Sequence, residues 1–225
     1  MLTTTTTTTI QKTEIQTPST RTPDSRLGDV QTTTLSFANM HNHGELFANI
    51  LRARRQSFII QNRWELPEAL GMEFDQYDTP QSRWIAVHDD GQVYAGLRLT
   101  PSTARCGIYS YMIRDAQKGT LGGSIPQELL WDPAPVDPQV WESSRVFVSH
   151  EIPMQDRRKV HFQLVEAMVR SARDQGATRL LAISAASWPR WYRRCGLVAQ
   201  PIGPVVFIGD GDYQCVSIDL MAKLH

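Results

Sequence analysis

The chain has 225 residues, 41% of them hydrophobic, which is enough for one sizeable core and short for two. Lys plus Arg and Asp plus Glu each number 23, so no net field directs it to nucleic acid or an acidic membrane, and electrostatic function must come from local clusters. Its three cysteines (Cys106, Cys195, Cys215) are odd in number and lack Cys-x-x-Cys spacing, which predicts reduced thiols in a cytoplasmic protein. No apolar run approaches the roughly 18 residues of a membrane span, and Met1-Leu2 followed by seven threonines does not resemble a secretory signal.

In chain order, residues 1–30 are rich in Thr, Gln, Ser and Pro, with only isolated apolar positions, and are expected to form a disordered tail. A single domain is expected over 31–225. Gln31 to Ala38 is β-prone and predicts a first strand. Asn42 to Gln61 places Leu46, Phe47, Ile50, Leu51, Phe58 and Ile59 at helical spacing. Arg83 to Arg98 predicts a hairpin turning at Asp89-Asp90-Gly91. Arg145 to Ser149 predicts a strand, and Asp156 to Gln175 an amphipathic helix ending before Gly176. Arg179 to Ser184 is a continuous apolar strand, expected to be buried on both faces. Ser187 is expected to cap a short helix that stops at Gly196, and strands near Val205–Ile208 and Tyr213–Leu220 close the chain. This order predicts an α+β or mixed α/β class with one mixed sheet flanked by helices.

Several residues carry potential chemistry. Arg54 and Phe58 are four apart and share a face if helical; the spacing to Phe58 selects Arg54 over Arg55. Phe58 taken alone reads as a core aromatic, and Trp64 equally as a packing cap or as a face that can hold a cation. Asp75 and Asp78, beside Glu73, read either as a solvated acidic loop or as partners of Arg54, Arg98 and Arg145, since buried charges need opposite partners. Their spacing does not fit a calcium loop. Glu142 and Arg145, three apart, would point to opposite faces of a regular strand. They join one site only if Glu142 precedes the strand or a bulge intervenes.

Arg54-x3-Phe58-x5-Trp64, then Glu73-Phe-Asp75-Gln-Tyr-Asp78, Gly96-Leu-Arg98-Leu-Thr-Pro101 and Trp141-Glu142-Ser-Ser-Arg145-Val-Phe-Val148 together span about 100 residues. In this order and spacing they resemble the acyl-homoserine-lactone synthases, the LuxI-type enzymes of bacterial quorum sensing. The resemblance implies an acyltransferase with an N-acetyltransferase-like fold, whose central strands splay to admit a thioester. It implies N-acylation of S-adenosylmethionine by an acyl thioester, then lactonisation with release of methylthioadenosine. S-adenosylmethionine is then a substrate, and no cofactor or metal is expected. Arg54, Phe58, Trp64, Asp75 and Asp78 are the expected S-adenosylmethionine residues, with either aspartate touching the ligand and the other holding an arginine. Arg98, Glu142 and Arg145 are the expected catalytic residues, with Glu142 as general base or as an anchor for arginine.

Ordinary acetyltransferases follow the central strand with a glycine-rich turn that cradles the coenzyme A pyrophosphate. His150 to Lys159 holds no glycine, which suits an acyl-carrier-protein donor over acyl-CoA; Arg157-Arg158-Lys159 reads as a surface for an acidic carrier or for coenzyme A phosphates, or as a solvated helical turn. Met112 to Gln117 and Trp188-Pro-Arg-Trp191, however, look similar to a branch that includes users of aryl or branched acyl-CoA. Ala182, Ser184 and Trp188 are the expected acyl-chain pocket, Ser184 either binding a 3-substituent or acting as a satisfied strand hydroxyl. A monomer or weak dimer is expected. The competing readings are an N-acyltransferase of the same fold with another amine acceptor, and a non-catalytic acyl-binding module. His41 and His43 lack a third ligand for a metal, and neither Cys106 nor Cys195 has a histidine partner for nucleophilic chemistry.

Overall fold

The computed structural model describes residues 30–222; the tail expected over 1–30 lies outside them apart from Val30, which is buried. The elements are β1 (Gln31–Leu35), α1 (Leu46–Arg54), β2 (Glu68–Ala69), β3 (Met72–Glu73), β4 (Arg83–Asp89), β5 (Gln92–Pro101), α2 (Met112–Gln117), β6 (Val140–Val148), α3 (Met154–Asp174), β7 (Arg179–Ala185), α4 (Trp188–Arg194), β8 (Val198–Ile208) and β9 (Gly211–Asp219). Seven strands form one mixed sheet in the order β1-β4-β5-β6-β7-β9-β8, and β2 and β3 make a separate small hairpin. Every neighbouring pair in the large sheet is antiparallel except β6–β7, which α3 joins as a crossover.

Side-chain alternation sorts the two faces. On β4, Trp84 and Ala86 pack with Leu46 and Ile50 of α1, while Ile85 and Val87 join Leu164 and Met168 of α3. Further along, Val140 of β6 and Leu181 of β7 pack with Ile113 of α2. Helices α1 and α2 therefore cover one face, α3 the other. Arg98 is the register partner of Trp84, so it projects toward α1 on the same face.

The observed elements depart from expectation at definite places. The helix expected from Asn42 to Gln61 is divided: a 3-10 turn (Met40–His43), then α1, then a π-helical turn over Arg55–Gln61 that widens the end carrying Phe58. Strand β6 begins at Val140, so Glu142 lies within it rather than before it. Strand β8 starts earlier than expected, passing through Pro201 and Pro204. Prolines fit there because β8 is the sheet edge and its register breaks between Pro201 and Val205. Ser187 stands at the N-cap of α4 but gives no side-chain capping bond. The hairpin turn is confined to Asp90-Gly91, both at positive φ, as a two-residue turn between twisted strands requires.

Candidate active site

Strand β6 carries the decisive irregularity. Its residues pair with β5 as Arg98–Ser144 and then Gly96–Phe147, so Arg145 and Val146 together oppose Leu97. Arg145 takes φ +54°, the left-handed conformation of a bulge. Up to Ser144 the alternation is regular, with Glu142 and Ser144 on the α1–α2 face. The extra residue then turns Arg145 to that same face, Val146 to the α3 face and Phe147 back. Phe147 packs edge-on against Phe58 at 6.0 Å between centroids, while Val146 lines a cavity beside α3. The bulge is what lets residues three apart meet in one site.

Three guanidiniums and three carboxylates interlock on that face. Arg54 Nε donates to Glu73 at 2.5 Å, and its two terminal nitrogens donate to Asp78 at 2.7 and 3.0 Å. Arg98 grips Asp75 with both terminal nitrogens, at 2.5 and 3.2 Å, and lies 3.1 Å from Asp78. Arg145 bridges Glu73 at 3.1 Å and Asp75 at 2.8 Å. Asp78 also accepts from the Trp84 indole and the Asp75 backbone N–H, and Arg98 donates to Ser144. Among the three, the side chains of Arg54 and Arg98 are 1% and 0% exposed and that of Arg145 is 11% exposed.

Charge balance explains how such groups stay ionised away from water. Burial alone pushes the Asp75 and Asp78 carboxyls up, but Arg98, with Arg145 at Asp75 and Arg54 at Asp78, overrides it and holds both below the usual carboxylate range. Burial likewise works against the Arg54 and Arg98 cations, and the aspartates outweigh it, so both are held above the ordinary arginine value. Removing any one member would strand its partner in a dry layer.

Glu142 differs from its neighbours. It is fully buried and accepts the Ile113 N–H at 2.7 Å and the Met112 N–H at 3.3 Å, so it fastens the start of α2 rather than a guanidinium. Burial lifts its carboxyl up to about 7, against the pull of the Ile113 N–H and Arg98. Asp115 ties the same helix to the acidic loop, accepting from Ser110 and from the Tyr77 hydroxyl at 3.1 Å.

Above the charges lies an aromatic pair. Phe58 and Trp64 stack at 5.1 Å and 10°, and the Arg145 guanidinium stands 5.8 Å from the Phe58 ring. Phe58 is buried while Trp64 is 37% exposed, which makes Trp64 the outer wall of the pair.

On the opposite face, β6 and β7 part company. Their pairing ends at Glu142–Leu181, although both strands continue. A cavity of about 360 Å³ opens there, lined by Ser143 and Val146 of β6, Ala182 and Ser184 of β7, Leu164 and Met168 of α3, and Trp188 and Tyr192 of α4. Ser184 is satisfied by the Tyr192 hydroxyl at 2.8 Å. Because β7 loses its β6 neighbour, Leu180 to Ala182 are buried but Ile183 and Ser184 are only half-buried, short of the two-face burial expected for the whole strand.

All eight residues expected around the reaction centre thus gather on one face, and Ala182, Ser184 and Trp188 share the cavity on the other. In sequence Glu73 is only a neighbour of the aspartates, yet it is fully buried and joins Arg54 to Arg145. Its signal was the alternation Glu73-x-Asp75 leading out of a short strand. The anchoring of Glu142 by Met112 and Ile113 had no sequence signal, since it joins residues about thirty apart through backbone N–H groups. Among the described residues no cluster of His, Cys, Asp and Glu suits a metal, and no helix is long and apolar enough to cross a membrane.

Comparison with known proteins points one way. The family model described as autoinducer synthase matches residues 38–211. An acyl-homoserine-lactone synthase of Ralstonia nicotianae is 30% identical over 181 residues, covering 78% of this chain and 83% of that protein. The isovaleryl-homoserine lactone synthase of Bradyrhizobium diazoefficiens is 25% identical over 189 residues, covering 83% and 78%. The crystal structure of TofI in a ternary complex with an inhibitor and MTA superposes with a TM-score of 0.66 at 27% identity, over 86% of this chain and 93% of that one. With the charge cluster, the bulged strand and the splayed cavity already in place, these matches show that the chain belongs to the autoinducer synthase family and is an acyltransferase of the acyl-homoserine-lactone synthase type.

Proposed function

We propose that S-adenosylmethionine binds on the α1–α2 face, with its sulfonium against the Phe58–Trp64 pair and its carboxylate toward Arg145, the most exposed of the three arginines. Arg54, Asp75, Asp78 and Glu73 hold Arg98 and Arg145 in place, so they act on the substrate through those guanidiniums. The acyl chain of the donor occupies the cavity on the α3 face, between Ala182, Ser184 and Trp188. Its thioester then lies at the gap between β6 and β7, next to Glu142.

Glu142 accepts a proton from the substrate ammonium, directly or through water, and a carboxyl titrating near neutrality suits that task. The freed amine attacks the thioester carbonyl, and backbone N–H groups where the strands part stabilise the oxyanion. Collapse expels the donor thiol and leaves an amide. The substrate carboxylate then attacks its own γ-carbon, closing the lactone and releasing methylthioadenosine. The observation that supports this reading is the Arg145 bulge, which turns the Arg145 side chain to the face of Glu142, close to where the pairing of β6 with β7 ends.

For the donor, the start of α3 supports an acyl-carrier protein. Arg157 is engaged with the carbonyls of His150 and Ile152, and Asp156 sets a carboxylate in the first helical turn, where a pyrophosphate would need bare N–H groups. Arg158 and Lys159 remain exposed to meet an acidic partner. The enzyme is proposed to act in the cytoplasm as a monomer or weak dimer. Incubation with S-adenosylmethionine and matched acyl-carrier-protein and acyl-CoA thioesters tests the assignment: methylthioadenosine should appear, with kcat/KM higher for the carrier-bound donor. No methylthioadenosine with any donor defeats the reading, and turnover with CoA donors alone defeats the carrier-protein part.

A further inference from the structure

One wall of the acyl-chain cavity is α4, a helix of seven residues whose N-cap Ser187 gives no capping bond. So short a helix has little stability of its own, and tertiary contacts must set its position. Two polar clasps supply them. Trp188 and Tyr192 are four apart on α4 and turn the same way, with ring centroids 5.9 Å apart. The Tyr192 hydroxyl meets Ser184 on β7 at 2.8 Å, and the Trp188 indole N–H donates to Gln214 Oε1 on β9 at 2.9 Å. Ser184 and Gln214 are themselves register partners across β7 and β9.

Gln214 is in turn fixed from behind, its Nε2 donating to the Gly203 carbonyl of β8 at 2.9 Å. With both ends of the carboxamide engaged, its orientation is determined: a flip would set donor against donor and acceptor against acceptor. Gly203 lies so close to the Leu129 carbonyl that no Cβ fits there, which locks the last link. Yet Gln214 does not itself line the cavity; its side chain meets the cavity wall through the Trp188 indole.

We infer that Gln214 is a positioning residue that sets how long an acyl chain the enzyme accepts, by holding the Trp188 indole across the cavity through its carboxamide oxygen. This rests on the reading of that cavity as the acyl-chain site. The physical basis is the sharpness of a hydrophobic end wall: one methylene too many in a filled pocket costs about tenfold or more in kcat/KM, and that discrimination requires the wall to stay where it is. Released from Gln214, the indole rotates outward and the penalty relaxes.

The test uses the full chain and a graded series of straight-chain saturated donors, with methylthioadenosine release as readout and the KM for S-adenosylmethionine measured separately. In Gln214→Met, the kcat/KM ratio of the next longer donor to the wild-type optimum should rise roughly tenfold. Trp188→Phe removes the same bond from its other end and should shift the ratio alike, and the double variant should add nothing further. Gln214→Glu keeps the acceptor for the indole but sets a carboxylate oxygen against the Gly203 carbonyl, so the ratio should shift there too, while the KM for S-adenosylmethionine stays level throughout. A wild-type ratio in Gln214→Met overturns the inference; should that variant not fold, a wild-type ratio in Trp188→Phe overturns it instead. Wild type that releases no methylthioadenosine from any donor brings down the cavity reading as well, whereas active enzyme with an unshifted ratio brings down only the role of Gln214.

Discussion

The Glu142 carboxylate accepts its hydrogen bonds from Met112 and Ile113 N–H groups, while the carboxylates around Arg54, Arg98 and Arg145 accept theirs from guanidiniums. Burial consequently dominates at Glu142 and charge pairing dominates at Asp75 and Asp78, so neighbouring acids titrate in opposite directions. If ionised Glu142 is the base, kcat/KM should rise about tenfold per pH unit below about 7 and level off above it. Glu142→Gln should abolish that limb and lower kcat by ~10²–10⁴-fold; a wild-type profile flat through neutrality would remove Glu142 from the role. At this scale the sequence was legible where chemistry demands charge, as with Arg54 and Asp78. It was silent where a side chain answers to distant backbone, as at Glu142, because no residue type signals that a peptide N–H will be its partner.

At the scale of elements, β6 shows why a regular pattern misleads. The sequence posed the conflict, since Glu142 and Arg145 cannot share a face on a straight strand, and the bulge at Arg145 resolves it. The opposing strand accommodates the bulge with a glycine: a Cβ on Gly96 would sit 2.9 Å from both the Ile85 carbonyl and the Phe147 ring. Gly96→Ala should therefore destabilise the fold by about 1–3 kcal/mol through overpacking, read as a lowered denaturant midpoint at unchanged slope. An unchanged midpoint would mean that Phe147 has somewhere else to go. Helix boundaries were less legible for a related reason: apolar spacing from Leu46 to Phe58 is helical throughout, but nothing in it distinguishes the α-helical half from the π-helical turn that follows.

For the whole molecule, the ion cluster makes stability a function of pH in two windows. Asp75 and Asp78 have folded values below their ordinary 3.8, so their stabilising contribution is present above that pH and is lost as pH falls through the folded values. Glu142 runs the other way: its folded value, about 7, exceeds its ordinary 4.5, so its contribution is full below 4.5 and is lost as pH rises through about 7. Asp78→Asn leaves Arg54 and Arg98 undercompensated and should cost about 3–5 kcal/mol near neutral pH. That cost should shrink in strong acid, where the wild-type carboxylate is protonated too; denaturant unfolding at the two extremes measures it, and an equal loss at both would refute the electrostatic account. The fold class was legible from the order of strands and helices, because burial on two sides of a sheet leaves its period in the sequence. Sheet order was not, since it depends on pairings such as β1 with β4 that no local pattern encodes.

The separation of β6 from β7 beyond Glu142–Leu181 has a topological consequence. A sheet is ordinarily a partition: its ladder leaves no way from one side to the other. Here the ladder stops partway along, and the partition acquires a slot. On the proposed assignment, the two substrates never compete for a doorway, each arriving from its own side of the sheet, and the new amide bond forms within the slot itself. The finished signal molecule is then threaded through the protein, headgroup on one side and tail on the other, and can leave only by drawing one end back through the slot that joined it.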